Sequence, residues 1–169
     1  RVYEAIIKRM ELFGLELSKE KTRILPFGRN CGTRETFDFL GFTHFNSKTR
    51  KGYYTVGHKI SRKKKKQFKS NLKKWVKENR TTQFDEFMKA LNKKLTGSFN
   101  YYSLSGMIRE VRNLWIHSLY VTFKWMNRRS QRRSFKLERF YEIWNDRIIH
   151  PYIHVDIWSG DKVIYNKNV

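Results

Sequence analysis

The sequence predicts a mixed α+β fold, with a small antiparallel β element on the N-terminal side and a mainly helical, basic bundle after residue 60. Short aromatic-rich segments separated by glycines fill residues 23–60, a pattern typical of strands and hairpins. From residue 61 onward the apolar residues recur at three- and four-residue spacing, which indicates helices. The 169 residues, 39% of them hydrophobic, are enough to bury a core without disulfides, and Cys31 is the only cysteine.

The first 60 residues begin with a helix. Apolar residues at helical spacing predict it over residues 2–13, and Gly14 ends it. Three short strands are predicted, over residues 23–27, 37–45 and 53–60, of which the last two pair as a hairpin. Gly41 lies inside the second strand and indicates a bend or a close backbone approach. Because the chain starts at Arg1 within the first predicted helix, we expect a fragment of a longer protein or a truncated reading frame.

Four further helices are expected. Ser61 is suited to cap a helix over residues 62–79. Thr82 is expected to cap a second helix, which runs from about 83 to 95 and which Gly97 ends. The remaining helices are predicted over residues 107–127 and 135–147, and Tyr152 to Tyr165 predicts a terminal hairpin. The predicted units are residues 1–60, a helical domain over 61–135, and a tail over 136–169.

The charge is strongly basic and unevenly distributed. The chain has 37 Lys and Arg against 15 Asp and Glu, and a net charge of +22. Residues 59–136 hold 22 basic and 4 acidic residues, so nearly all the excess lies there. Such density predicts a polyanionic partner. The aromatic content of 16% favours nucleic acid, whose bases stack on rings, over a membrane, because the basic residues fall on several separate elements.

The first candidate binding element is the helix from Arg62 to Arg80, with ten basic residues and one acid, Glu78. A solvated helix face is the alternative, but like charges one turn apart destabilise a helix, so a phosphate-binding face is favoured. The predicted RNA-binding residues here are Arg62, Lys63, Lys64, Lys65, Lys66, Lys69, Lys73 and Lys74.

The second candidate element is the segment 124–134. Its arginines would share one face if the segment were helical, and guanidinium groups contact phosphates bidentately. The alternative is a bundle corner held by salt bridges, but the segment contains no acid. The predicted RNA-binding residues are Lys124, Asn127, Arg128, Arg129, Arg132 and Arg133.

A third segment, 97–102, places three aromatic residues after Gly97. They would either stack on bases or fill the space between helices, and packing is favoured. Asn100 is the residue predicted to be exposed and to contact RNA.

Catalytic and metal-binding patterns are weak in this sequence. The five aspartates are scattered and form no adjacent pair of the kind that a two-metal site needs, and there is no GxxxxGK[ST] loop. His150 and His154, with Asp156, are the only metal candidate, and Pro151 argues against it. We expect no metal or cofactor, and expect His44, His58 and His117 to be isolated structural residues.

The motifs resemble the C-terminal part of group II intron reverse transcriptases, also called maturases. The similarity to the end of the family's palm domain is found in residues 14–18, 20–24 and 37–42. Residues 97–102 match a G-x-x-N-Y-Y stretch of the thumb and maturase domain, and residues 124–134 match its K-W-x-N-R-R-S-x-R-R-S stretch. These motifs occur in the family's order across most of residues 10–135.

The resemblance implies a fold and a function. The β element would be the end of a palm, and the helices a thumb and maturase bundle that binds intron RNA and supports splicing, while the RNA performs the chemistry. The resemblance also implies contacts with the template and primer. They would be made by the family's primer grip and the palm motif before it, which correspond here to Lys21, Thr22, Phe39, Leu40, Gly41 and Phe42. For the intact protein, the resemblance implies a Mg2+ cofactor, reverse transcription and intron mobility. It also implies a DNA target or an RNA–DNA primer–template as a partner. The implied location is the bacterial cytoplasm or an organelle, associated with nucleic acid.

The chain departs from the family at the polymerase site. The Y-A-D-D motif is absent, so no DNA synthesis is expected from this chain alone. The alternatives to an RNA-binding maturase fragment are an inactive relic, one piece of a split polymerase, and a general basic nucleic-acid-binding module without intron preference.

Overall fold

The computed structural model describes residues 2–18, 20, 22–129 and 134–153. Within them the fold is α+β, with five helices and one three-stranded antiparallel sheet, which confirms the predicted class. The elements are α1 (Val2–Leu12), β1 (Thr36–Phe39), β2 (Phe42–Lys48), β3 (Tyr54–Ile60), α2 (Arg62–Asn79), α3 (Phe84–Tyr102), α4 (Ile108–Met126) and α5 (Leu137–Arg147). The predicted terminal hairpin lies almost wholly outside the described residues.

The sheet differs from the prediction in two places. The strand expected over 37–45 is two strands, β1 and β2, joined by a two-residue turn at Leu40–Gly41 in which both φ angles are positive, +48° and +84°. Such a turn matches the twist of antiparallel strands, so Gly41 marks a reversal rather than a bend. The strand predicted over 23–27 is absent, because Pro26 lacks an N–H donor and Ile24 is exposed. The hairpin between β2 and β3 is confirmed.

The helix ends also correct two expectations. Ser61 caps α2 as predicted, its hydroxyl accepting the Lys64 N–H at 3.4 Å. Thr82 is not the cap of α3, which begins after Gln83 without a side-chain cap. Gly97 does not end α3, because Phe99 continues the buried stripe beyond it. Burial of that ring outweighs the roughly 1 kcal/mol that a glycine costs inside a helix.

The sheet packs directly against the helices. Phe42 and Ile60 belong to the same buried cluster as the apolar side chains of α2 to α5. The Phe42 ring stacks on Tyr101 at 5.6 Å between centroids, and the Ser61 N–H donates to the Gly41 carbonyl at 2.9 Å. The Leu40–Gly41 turn is therefore fixed to the bundle.

Helices α2 and α4 run side by side in the same direction. Lys65 near the start of α2 pairs with Glu110 near the start of α4 at 2.5 Å. At the other end, Lys77 and Arg80 of α2 contact Trp125 of α4. This arrangement brings together the two segments that the sequence analysis selected for their charge.

Candidate nucleic-acid interface

One side of α2 has a continuous row of cations. Its apolar side, Leu72 and Val76, is buried in the core. Six basic residues three or four positions apart share another side of the helix, and all are exposed except half-buried Arg80. This row, which we name the α2 stripe, consists of Arg62, Lys66, Lys69, Lys73, Lys77 and Arg80.

The stripe persists despite its own repulsion because other contacts hold α2 in place. The buried apolar side and the Ser61 cap stabilise the helix from within. The Lys65–Glu110 ion pair fastens it to α4, so Lys65, although predicted to bind RNA, is already engaged. Within α2 the single acid, Glu78, lies 4.0 Å from Lys74 and leaves the stripe uncompensated.

At its C-terminal end the stripe meets the second basic segment around one aromatic ring. Three cations lie near the Trp125 ring centroid: Lys77 at 5.8 Å, Arg80 at 5.4 Å and Arg128 at 5.3 Å. Each distance is within the range of a cation–π attraction. In the described part of the chain, none of the three pairs with a carboxylate. We name these four residues the Trp125 cluster.

Two backbone contacts fix the geometry of the Trp125 cluster. The Arg80 guanidinium donates to the Arg128 carbonyl at 3.3 Å. Arg129 donates to the Thr82 carbonyl at 3.4 Å. The ends of α2 and α4 are therefore tied to each other, and the cluster's cations are held close together.

The structure describes the arginine segment only at its two ends, residues 124–129 and 134. Helix α4 ends at Met126, one residue before its predicted end. Arg128 and Arg129 lie beyond the helix, and Arg132 and Arg133 lie outside the described residues. The Asn127 amide donates to the Phe135 carbonyl at 3.1 Å and accepts the Phe135 N–H at 2.8 Å. The side chain of Asn127, a residue predicted to contact RNA, thus holds Phe135 beside the end of α4.

The outer side of α4 extends the basic surface. Arg109, Arg112 and Lys124 are exposed there, and Tyr120 between them is 54% exposed. Burial, followed by the nearby charge of Lys69, lowers the pKa of His117. We name the stripe, the Trp125 cluster and this side of α4 together the α2–α4 surface.

The remaining predicted binding residues are placed in different surroundings. Lys63, Lys64 and Lys74 are exposed on α2 outside the stripe. Asn100 is exposed on α3 as predicted. Of the three aromatic residues predicted to pack, Phe99 is buried and Tyr102 is half-buried, whereas Tyr101 is 52% exposed.

The residues with an implied template–primer role are divided between surface and core. Phe39 and Leu40 are exposed at the turn, whereas the Phe42 side chain is buried and supports it. The Thr22 hydroxyl donates to the Ser18 carbonyl at 2.8 Å, and Lys21 lies outside the described residues.

Two of the histidines are not isolated, contrary to expectation. His44 and His58 are cross-strand partners in β2 and β3, with their Nδ1 atoms 3.0 Å apart. Burial, followed by the charge of His44, lowers the pKa of His58. His150 stacks on Trp115 at 5.0 Å, and His154 lies outside the described residues. Among the described residues no group of three or more His, Cys, Asp or Glu is placed to hold a metal ion.

The residues predicted to bind RNA did not include six members of the α2–α4 surface: Lys77, Arg80, Arg109, Arg112, Tyr120 and Trp125. Lys77 and Arg80 were detectable, since they extend the spacing from Lys73 by four and seven residues. Nothing in the sequence pairs Trp125 with α2. That contact follows only from the packing of the helices.

Comparison with protein-family models, with curated proteins and with solved structures gave no match for this chain. Among the described residues no helix is both long enough and apolar enough to cross a membrane.

Proposed function

We propose that this chain binds RNA through the α2–α4 surface, and that it does so as a fragment of a group II intron maturase that supports splicing. The observation behind the proposal is the Trp125 cluster. There two basic segments meet, with Lys77, Arg80 and Arg128 around one ring and no carboxylate paired to any of them in the described chain. Bringing phosphates to this place would relieve the repulsion and release counterions.

The shape of the surface suits a nucleic-acid backbone. The stripe extends from Arg62 to Arg80 along α2, whose rise of 1.5 Å per residue gives a length of roughly 27 Å. Cations recur once per turn along this line, and Tyr120 contributes an exposed ring from the outer side of α4. A row of point charges can follow phosphates, and an exposed ring on the same surface can stack on a base.

A membrane surface is a poorer partner for the same residues. A helix that lies on a membrane inserts its apolar side between lipids. The apolar side of α2 is packed in the core through Leu72 and Val76, so it is not available for insertion. The proposal therefore favours nucleic acid.

The intron itself enters through the resemblance of residues 97–102 and 124–134 to maturase motifs. The protein would supply binding energy for the active RNA conformation, and the RNA would perform the chemistry. General nucleic-acid binding without intron preference is the second candidate, because charge alone supports it equally.

The test is binding of the purified chain to a folded group II intron RNA and to an unrelated RNA of equal length, at low and moderate salt. We expect the preference for the intron to survive the higher salt, since specific contacts depend less on counterion release than charge alone. If both RNAs bind alike and dissociate together, only general binding remains. If neither RNA binds even at low salt, RNA binding itself is wrong.

A further inference from the structure

The hairpin of β2 and β3 extends beyond the third strand. Strand β1 pairs only with Phe42–Phe45, so residues 46–48 and 54–56 form a two-stranded ribbon. The ribbon ends in residues 48–53, which we name the ribbon tip. Its opposite end, at Ile60, leads into α2. Seven residues of strand separate the tip from α2 by roughly 24 Å.

The ribbon tip is a closed turn. The Thr49 N–H donates to the Tyr53 carbonyl at 2.8 Å, and the Gly52 N–H donates to the Thr49 carbonyl at 2.9 Å. The Tyr53 N–H donates to the Thr49 hydroxyl at 3.1 Å. Gly52 has a φ of +83°, which a glycine adopts without strain. The side chains at the apex are thus presented from a fixed backbone.

Charge and an exposed ring coincide at the tip. Lys48, Arg50 and Lys51 are exposed, and within the described chain none of them pairs with a carboxylate. Tyr53 is 68% exposed and lies outside the buried cluster. An exposed aromatic ring next to unpaired cations is what a single-stranded nucleic acid requires, because its bases stack on rings and its phosphates need counter-charge.

We propose that the ribbon tip is a binding site for single-stranded nucleic acid. Tyr53 stacks on an unpaired base, and Lys48, Arg50 and Lys51 neutralise the flanking phosphates. A duplex keeps its bases stacked and offers the tip only its backbone, so the ring favours the single strand. The site is separate from the α2–α4 surface and does not depend on the function proposed for it.

The experiment measures fluorescence anisotropy of a labelled oligouridine of about 12 nucleotides and of a blunt RNA duplex of similar length. Both are titrated with the full chain and with Tyr53→Ala, Tyr53→Phe, Arg50→Ala/Lys51→Ala and Lys89→Ala/Lys93→Ala. The last variant removes two exposed charges from α3 and is the control for charge loss. Thermal unfolding verifies that each variant is folded.

We expect Tyr53→Ala to weaken oligouridine binding by about 5- to 150-fold, the range for loss of one stacked base. Tyr53→Phe keeps the ring and should bind within about twofold of the full chain. Arg50→Ala/Lys51→Ala should lower the salt slope on the single strand by about 1.4, and more than the α3 control does. Duplex binding should be unaffected by Tyr53→Ala.

Wild-type oligouridine binding by Tyr53→Ala would overturn the proposal, as would an equal loss of single-strand and duplex binding. Equal salt slopes for the tip variant and the α3 control would also overturn it. Failure of the α2–α4 proposal is recognised separately, because it predicts a loss on substitution of Lys77, Arg80 and Arg128, which the tip variants leave intact.

Discussion

Helices α1 and α3 have similar apolar spacing but different surroundings. Both show apolar residues every three or four positions. In α3 five of these side chains are buried, whereas α1 has no buried residue. The comparison shows that periodicity identifies which side of a helix is apolar but not what covers it. The buried side requires partners from elsewhere in the fold, and α3 has them in the neighbouring helices.

The sharpest way to test this contrast is to replace one leucine in each of the two helices with alanine. Leu91→Ala in α3 removes a side chain that is 0% exposed and should lower the free energy of unfolding by about 2–5 kcal/mol. Leu12→Ala in α1 removes one that is 85% exposed and should change it by less than about 0.5 kcal/mol. Urea unfolding gives both values. A comparable loss for Leu12→Ala would mean that α1 has a partner in the core.

A smaller difference in the loss of stability is expected between alanine substitutions at two asparagines. Asn127→Ala removes both hydrogen bonds to Phe135 and should cost about 1–3 kcal/mol. Asn100→Ala, on an exposed position of α3, should be nearly neutral. Thermal unfolding of the two variants measures the difference. Equal melting temperatures would show that the bonds between Asn127 and Phe135 do not stabilise the fold.

A third comparison concerns the helix cap at Ser61 and the one predicted at Thr82, where the expected difference in stability is smaller again. Ser61→Ala removes the only side-chain cap bond found among the described helices that follow the sheet and should cost about 1 kcal/mol. Thr82→Ala should have little effect, because α3 begins after Gln83 without that hydroxyl. Urea unfolding distinguishes the two. A larger effect at Thr82 would restore the start of α3 that the sequence predicted.

The smallest expected effect is a pH dependence. Burial lowers the pKa of His117 and of His58 in the folded chain, while the unfolded chain keeps an ordinary value of about 6.5. The unfolded state therefore binds protons first as the pH falls, so stability should decrease below about pH 6.5 and level off below the folded pKa values. Unfolding free energies between about pH 7.5 and pH 5.5 measure this. His117→Gln should reduce the decrease, and an unchanged decrease would assign it to other groups.

Much of the helical structure was predictable because the sequence patterns that indicate it lie within a few neighbouring residues. The cap at Ser61 and the apolar stripe of α2 are both contained within neighbouring residues. The continuation of α3 past Gly97 was not predictable, since it depends on the burial of Phe99 by other elements. Likewise, the split between β1 and β2 depends on a positive φ at Leu40, a conformation that leucine rarely adopts.

The charge of the candidate site was predictable from the sequence, but the contacts between its distant residues were not. The basic residues of α2 and of segment 124–134 are visible in the sequence. Arg80 and Arg128, which are 48 residues apart, come into contact only because α2 and α4 run in parallel. The His44–His58 pair has the same origin, since it follows from the strand register rather than from either residue's neighbours.

The central claim is that the Trp125 cluster contacts RNA phosphates, and the salt dependence of RNA binding tests it most directly. The variant Lys77→Ala/Arg80→Ala/Arg128→Ala is compared with Arg29→Ala/Lys89→Ala/Lys93→Ala, which removes three exposed cations from outside the α2–α4 surface. Thermal unfolding confirms that both variants are folded. We predict that the slope of log affinity against log salt falls by about 2–3 for the cluster variant and by clearly less for the control. Equal slopes for the two variants would contradict the account.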